Sequence, residues 1–330
     1  MESEMLLKLE KIRMCLKNKA FLFSFFVLLG CSNIKMIDSN LDKGEDAKAK
    51  NGQDSSSSQK EVTNEAVTFE IKKIKIKPGE ASLLVHDGDF SLYQKGGSLK
   101  CGKKTLPHFF SEGRLLAFLS ESYFSKFEVY DCLYSHPEKS FVVATVEVLN
   151  KDFPSEKLRV DKKRVFLNKK HAKRAAKERA IRHKAYSNSP KYPLFTESFA
   201  LPIRSKVTSI YGSKRIFNNK KQTQHLGTDF RAKVGTPIKA ANRGRVVISR
   251  KFFYTGHTVV IDHGLGIFTL YGHLSKRLVL EGEIIPKGMT IGHAGATGRV
   301  TGPHLHWGVT VNSLAIEGSS LVKASKGFVK

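Results

Sequence analysis

The chain has 330 residues, 40% of them hydrophobic, and carries a formal net charge of +26. That length holds two domains, each with its own core. No nucleic-acid module or aromatic–basic motif accompanies the charge, which sets nucleic acid aside as a partner and leaves anionic envelope polymers, lipid headgroups or no specific partner.

The first 31 residues read as a targeting segment. Lys8, Lys11, Arg13, Lys17 and Lys19 precede an apolar run from Ala20 to Leu29. The run is too short to span a bilayer and suits the apolar core of a signal peptide. It closes in Leu28-Leu29-Gly30-Cys31, which resembles a bacterial lipobox. The resemblance implies lipidation of Cys31 and a mature chain anchored to a membrane, in the cell envelope. Met14 offers an alternative start of more usual signal length, and an uncleaved signal anchor is the competing reading. Residues 32–66 are poor in apolar side chains and include the run Ser55-Ser56-Ser57-Ser58, the composition of a disordered tether. Such a leash has a root-mean-square reach of roughly 30–35 Å.

A small β-rich domain is expected over 67–165. Val67, Phe69, Ile71, Ile74 and Ile76 fall in short alternating stretches, and Phe141–Val148 is a β-branched run. Cys101 and Cys132 lie in this region, and their spacing alone leaves open whether they pair. Residues 166–192 read as a basic linker carrying an exposed helix over 168–186, where alanines alternate with lysine and arginine and few apolar residues mark a buried face. Pro190 and Pro193 end it. From 193 to 322 short strands are divided by glycine turns, with a tail over 323–330. The chain as a whole is therefore expected to be mainly β.

Within that last region, His225-Leu226-Gly227-Thr228-Asp229 and His304-Leu305-His306 carry metal-binding residue types. Two imidazoles and a carboxylate are zinc ligands, and three of them leave a tetrahedral position open for water. His304 and His306 leave the same face of a strand, with Cα atoms roughly 6.5 Å apart. His225 and Asp229 would be about 13 Å apart on a flat strand. A bend at Gly227, where a loop becomes a strand, brings them to one point.

These segments resemble the two signature motifs of peptidase family M23, the lysostaphin-like metalloendopeptidases. The likeness runs over about 195–322 and includes Thr208-Ser209-Ile210-Tyr211-Gly212, Gly235-Thr236-Pro237, Leu270-Tyr271-Gly272-His273 and Thr297-Gly298-Arg299-Val300-Thr301-Gly302-Pro303. Leu226 and Asn219 depart from it, standing where many members carry His and Gly. The resemblance implies an antiparallel β-sheet peptidase domain with an open groove. It implies one Zn2+ per chain, held by His225, Asp229 and His306, with His273 and His304 as the partner histidines beside the water. The implied activity is hydrolysis of peptidoglycan stem peptides or cross-links. The alternatives are an M23-like wall-binding protein without turnover and an activator of an amidase. His263, in Asp262-His263-Gly264, is read as ordering a turn rather than binding metal.

Overall fold

The structure is a computed structural model that describes residues 70–88, 96–158, 168–217 and 221–328. The expected signal peptide, the lipidation site Cys31 and the tether lie outside the described residues. Among the described residues no helix is long and apolar enough to cross a membrane.

Nine strands come first: β1 (Lys72–Ile76), β2 (Ala81–His86), β3 (Ser98–Cys101), β4 (Lys104–Leu106), β5 (Phe109–Ser111), β6 (Arg114–Ser120), β7 (Glu128–Ser135), β8 (Ser140–Val148) and β9 (Ser155–Leu158). Helix α1 (Lys169–Tyr186) follows. Next come β10 (Val207–Ser209), β11 (Lys214–Phe217), β12 (Lys221–Gln224), β13 (Thr228–Arg231), β14 (Pro237–Lys239), β15 (Gly244–Phe252) and β16 (Gly256–Asp262). The last strands are β17 (Ile267–Arg277), β18 (Ile284–Ile285), β19 (Thr290–Ala294), β20 (His304–Val311) and β21 (Leu314–Ile316), before helix α2 (Gly318–Ala324). The mainly-β expectation holds.

In the N-terminal part, one sheet runs β1-β8-β7-β3-β4 and another β2-β6-β5. Phe141, Val143, Val146 and Val148 of β8 are buried against Leu84, Leu99 and Leu119, which is why the branched run forms a central strand. Cys101 and Cys132 are cross-strand partners of β3 and β7, with Cα atoms 4.0 Å apart, and they form a disulfide. The bond closes a separation of 31 residues, worth about 3–4 kcal/mol in the chain-entropy account. The spacing could not reveal this, because strand register, not sequence distance, makes the two cysteines neighbours.

The large sheet runs β10-β13-β20-β17-β16-β15-β18. Its inner face is packed by Phe230, Ile238, Val259, Tyr271, Leu305 and Trp307, all buried in one cluster. Ala81 and Phe118 of the N-terminal strands belong to that same cluster. Ser120 Oγ donates to the Val311 carbonyl at 3.0 Å, and Asn312 Nδ2 donates to the Phe118 carbonyl at 2.7 Å. Strand β9 pairs in parallel with β11, the first arm of a β11-β12 hairpin. The N-terminal strands thus reach the hairpin that precedes His225.

Helix α1 is capped by Asn168, whose side chain accepts from the His171 backbone at 2.8 Å. Most of it is exposed, and Ala175 alone is buried. It is held on β15 and β17 by a few contacts. Ile181, Ala185 and Tyr186 pack on Ile248, Phe252 and Phe268, with the Tyr186 ring stacked on Phe268 at 4.4 Å. Glu178 accepts from the Phe253 backbone at 2.7 Å.

Candidate metal centre

Strand β13 begins at Thr228, directly after the bend at Gly227, and His225 sits in the turn before it. Strand β13 pairs antiparallel with β20, matching Asp229 to His306 and Arg231 to His304. Phe230 and Leu305, the intervening pair, point into the core. Period-two alternation therefore puts Asp229, Arg231, His304 and His306 together on the opposite face. Gly227 is required there: a Cβ at this position would lie 2.4 Å from His306 Cε1 and 2.7 Å from its Nε2.

Three atoms converge. His225 Nε2 is 3.1 Å from Asp229 Oδ1 and 3.2 Å from His306 Nδ1, and His306 Nδ1 is 2.8 Å from Asp229 Oδ1. Among the described residues these three form the one cluster that could hold a metal ion, their ligand atoms all lying within 4.8 Å of one another. Zinc bonds of 2.0–2.1 Å in tetrahedral geometry set ligand atoms about 3.3 Å apart, close to what is seen.

The protonation states also fit a cation. Burial alone would raise the Asp229 carboxyl, but the His225 and His306 rings against it hold it well below the usual carboxylate range. Burial pushes His306 down, against the pull of Asp229, the direction that favours the neutral ring a metal ligand needs. His225 Nδ1 lies 3.0 Å from the Ile210 carbonyl. A carbonyl only accepts, so that nitrogen carries the proton and Nε2 keeps its lone pair for the metal.

The two partner histidines are oriented by the same device. His273 Nδ1 donates to the Thr297 carbonyl at 2.8 Å, and His304 Nδ1 to the Gly302 carbonyl at 2.9 Å. In the neutral ring this leaves the lone pair on Nε2. The Nε2 of His304 lies 3.8 Å from Asp229 Oδ1. The His273 and His304 ring centroids are 4.7 Å apart, and His273 is 5.8 Å from His306. Burial, together with the neighbouring His306, lowers His273 to about 4. His273 also has φ of 62°, in the left-handed region. Such a conformation costs about 1–2 kcal/mol for a residue with a side chain. Its N–H donates to the Thr255 carbonyl at 2.6 Å, which helps hold it there.

Spacing gave no sign of two further residues. Arg215 Nη2 donates to Ser209 Oγ at 2.7 Å and lies 3.5 Å from Asp229 Oδ2, the carboxylate oxygen turned away from the ligand triangle. Ser209 Oγ is itself 3.2 Å from His225 Nδ1. Both arrive through the packing of β10 and β11 beside β13, a tertiary event with no local pattern. His263 is outside the centre. It is fully buried, with Nδ1 2.8 Å from the Arg243 carbonyl and Nε2 2.8 Å from Thr269 Oγ1, and burial lowers it to about 4. It orders the chain between β16 and β17, as the turn reading expected.

Comparison with known proteins agrees with this geometry. The chain is 43% identical over 113 residues to the peptidoglycan DD-endopeptidase ShyA of Vibrio cholerae, covering 33% of this chain and 26% of ShyA. It is 38% identical over 109 residues to the DD-carboxypeptidase/endopeptidase Mpg of Neisseria meningitidis, covering 31% of this chain and 25% of Mpg. The chain thus aligns with about a quarter of the length of these curated relatives. A crystal structure of a candidate M23 peptidase from Pseudomonas aeruginosa superposes with a TM-score of 0.58 at 26% identity, covering 75% of this chain and 95% of that one. The profile of peptidase family M23 matches residues 223–317. This chain carries a peptidase family M23 domain.

Proposed function

We propose that the chain is a zinc metalloendopeptidase that hydrolyses peptide bonds of peptidoglycan. The observation that carries this is the convergence of His225 Nε2, Asp229 Oδ1 and His306 Nδ1 beside two histidines tied by Nδ1 to backbone carbonyls. ShyA and Mpg, which act as endopeptidases, support the reaction, and ShyA supports peptidoglycan as the substrate.

His225, Asp229 and His306 would hold one zinc ion per chain. Bound there, zinc activates water near neutral pH and polarises the scissile carbonyl. The remaining work falls to the chain. His304 and His273, tied by Nδ1 to backbone carbonyls, each offer Nε2 as a proton acceptor for the attacking water. Whichever accepts becomes an imidazolium, which can then donate to the developing oxyanion or to the leaving amine. The Gly302 and Thr297 carbonyls stabilise that imidazolium through Nδ1.

The test is metal analysis and sacculus digestion with the full-length chain. One zinc per chain and release of muropeptides are expected, and mass analysis of the fragments identifies the bond cut. Stoichiometric zinc retained by an Asp229→Ala, His306→Ala double variant would refute the ligand set. Zinc-loaded protein that binds sacculi and releases nothing would favour a wall-binding role instead.

We also propose that the chain works in the cell envelope, anchored to a membrane through lipid on Cys31. The basic segment, the short apolar run and the Leu-Leu-Gly-Cys ending support this. Metabolic labelling with a fatty-acid analogue should mark wild type and not Cys31→Ala. Equal labelling of both would rule the anchor out.

A further inference from the structure

We propose that Arg231 is a substrate-binding residue that pairs with a carboxylate carried by the peptide close to the scissile bond. The proposal rests on the hydrolase reading above for the nature of the ligand, and on the strand geometry for the site.

Arg231 is two residues from Asp229 on β13, so both side chains leave the same face. Their Cα atoms are about 6.8 Å apart. Its antiparallel partner is His304, which places the two Cβ atoms about 4.5–5.5 Å apart. Arg231 thus stands in the row next to the ligand triangle, beside a partner histidine. Its backbone is fixed on both sides: its N–H donates to the Lys206 carbonyl at 2.8 Å, and its carbonyl accepts from Ser205 Oγ at 2.5 Å.

The side chain, in contrast, is unspent. It is exposed, and among the described residues its guanidinium makes no hydrogen bond, ion pair or ring contact. The arginine nearest the site on its other side, Arg215, is already engaged with Ser209 and Asp229. Asp229 is the one carboxylate that β13 and β20 carry, and it belongs to the ligand triangle. No acidic side chain on these strands is left to neutralise Arg231.

A guanidinium held at a fixed backbone position offers a planar fork that matches a carboxylate with two parallel hydrogen bonds. An extended peptide advances about 3.3–3.6 Å per residue. The Asp229-to-Arg231 step therefore corresponds to a carboxylate on the order of two residues from the bond cut. That carboxylate is either the C-terminus of the peptide or a side-chain carboxyl, and both have the same recognition chemistry.

The probe is a synthetic cross-linked muropeptide in three forms: carboxyls free, C-terminal carboxyl amidated, and side-chain carboxyl amidated. Wild-type full-length chain, loaded with zinc, should lose about 10- to 100-fold in kcat/KM on one of the two amides, the range expected for a lost charge-assisted pair. Whichever amide shows the loss identifies the source. Arg231→Ala should lose the same factor on the free form and little more on that amide, so the two changes are not additive. Arg231→Lys should recover part of the loss, because it restores the charge without the fork. Zinc content and thermal midpoint should match wild type, which excludes a folding defect.

Calorimetric binding of the three forms separates this proposal from the hydrolase reading. If nothing is cleaved, a 10- to 100-fold weaker affinity of Arg231→Ala for the free form would sustain the carboxylate site while the hydrolase reading falls. Equal cleavage or binding of all three forms by wild type would overturn it. So would an equal loss by Arg231→Ala on the free form and on both amides.

Discussion

His304→Ala and His273→Ala should each keep one zinc and a wild-type fold yet digest sacculi about 10²–10⁴-fold more slowly, the usual cost of removing a proton-transfer group. Neither side chain belongs to the convergent triangle of His225, Asp229 and His306. Each is held by Nδ1 to a backbone carbonyl, and its Nε2 has no metal-ligand role to lose. His225→Ala is the contrast. It removes one corner of the triangle and leaves Asp229 and His306 with a lower-affinity pair, so zinc and activity should vanish together. Metal analysis and sacculus digestion on the same preparations read both quantities. If His304→Ala lost zinc while His306→Ala kept it, the two roles would have to be exchanged. Full activity in both partner variants would refute the proton-transfer scheme.

Much of this centre was legible in the sequence because its parts obey local rules. His304 and His306 share a face through period-two alternation, and Gly227 supplies the bend that separate spacing arguments demanded. The same alternation also marks Arg231, two residues beyond Asp229, as sharing its face. What alternation does not give is partnership. That Arg215 meets Asp229 depends on the placement of β11, and that Cys101 meets Cys132 depends on the register of β3 and β7. Helix α1 shows the same limit. Its composition is that of an exposed helix, and its seat on β17 and the end of β15 rests on Tyr186 and Glu178, two residues that no helical pattern singles out. The left-handed backbone of His273 was likewise invisible, since nothing in Tyr271-Gly272-His273 assigns the positive φ to the histidine rather than to the glycine before it.

Gly227→Ala should weaken zinc binding markedly, although the glycine has no ligand atom. The added Cβ would come within 2.4 Å of His306 Cε1 and 3.0 Å of the Trp307 carbonyl oxygen. Relief requires one of these to move. The Trp307 carbonyl is backbone on β20, in the middle of the large sheet, and the Trp307 ring is buried in its core. The His306 ring is the softer partner, so the displacement falls on it and pulls Nδ1 from its 2.8 Å contact with Asp229 Oδ1. Disturbing the support of a ligand typically costs about 10–100-fold in metal affinity or activity. A competition titration with a zinc chelator should show at least that loss for Gly227→Ala, with turnover falling at limiting zinc and partly recovering in excess. Gly302→Ala, whose Cβ would meet nothing within 4 Å, should keep the wild-type zinc affinity. Wild-type affinity in Gly227→Ala would mean that His306 has room to yield without leaving the triangle, and the tight fit at the bend would then carry no metal-binding role.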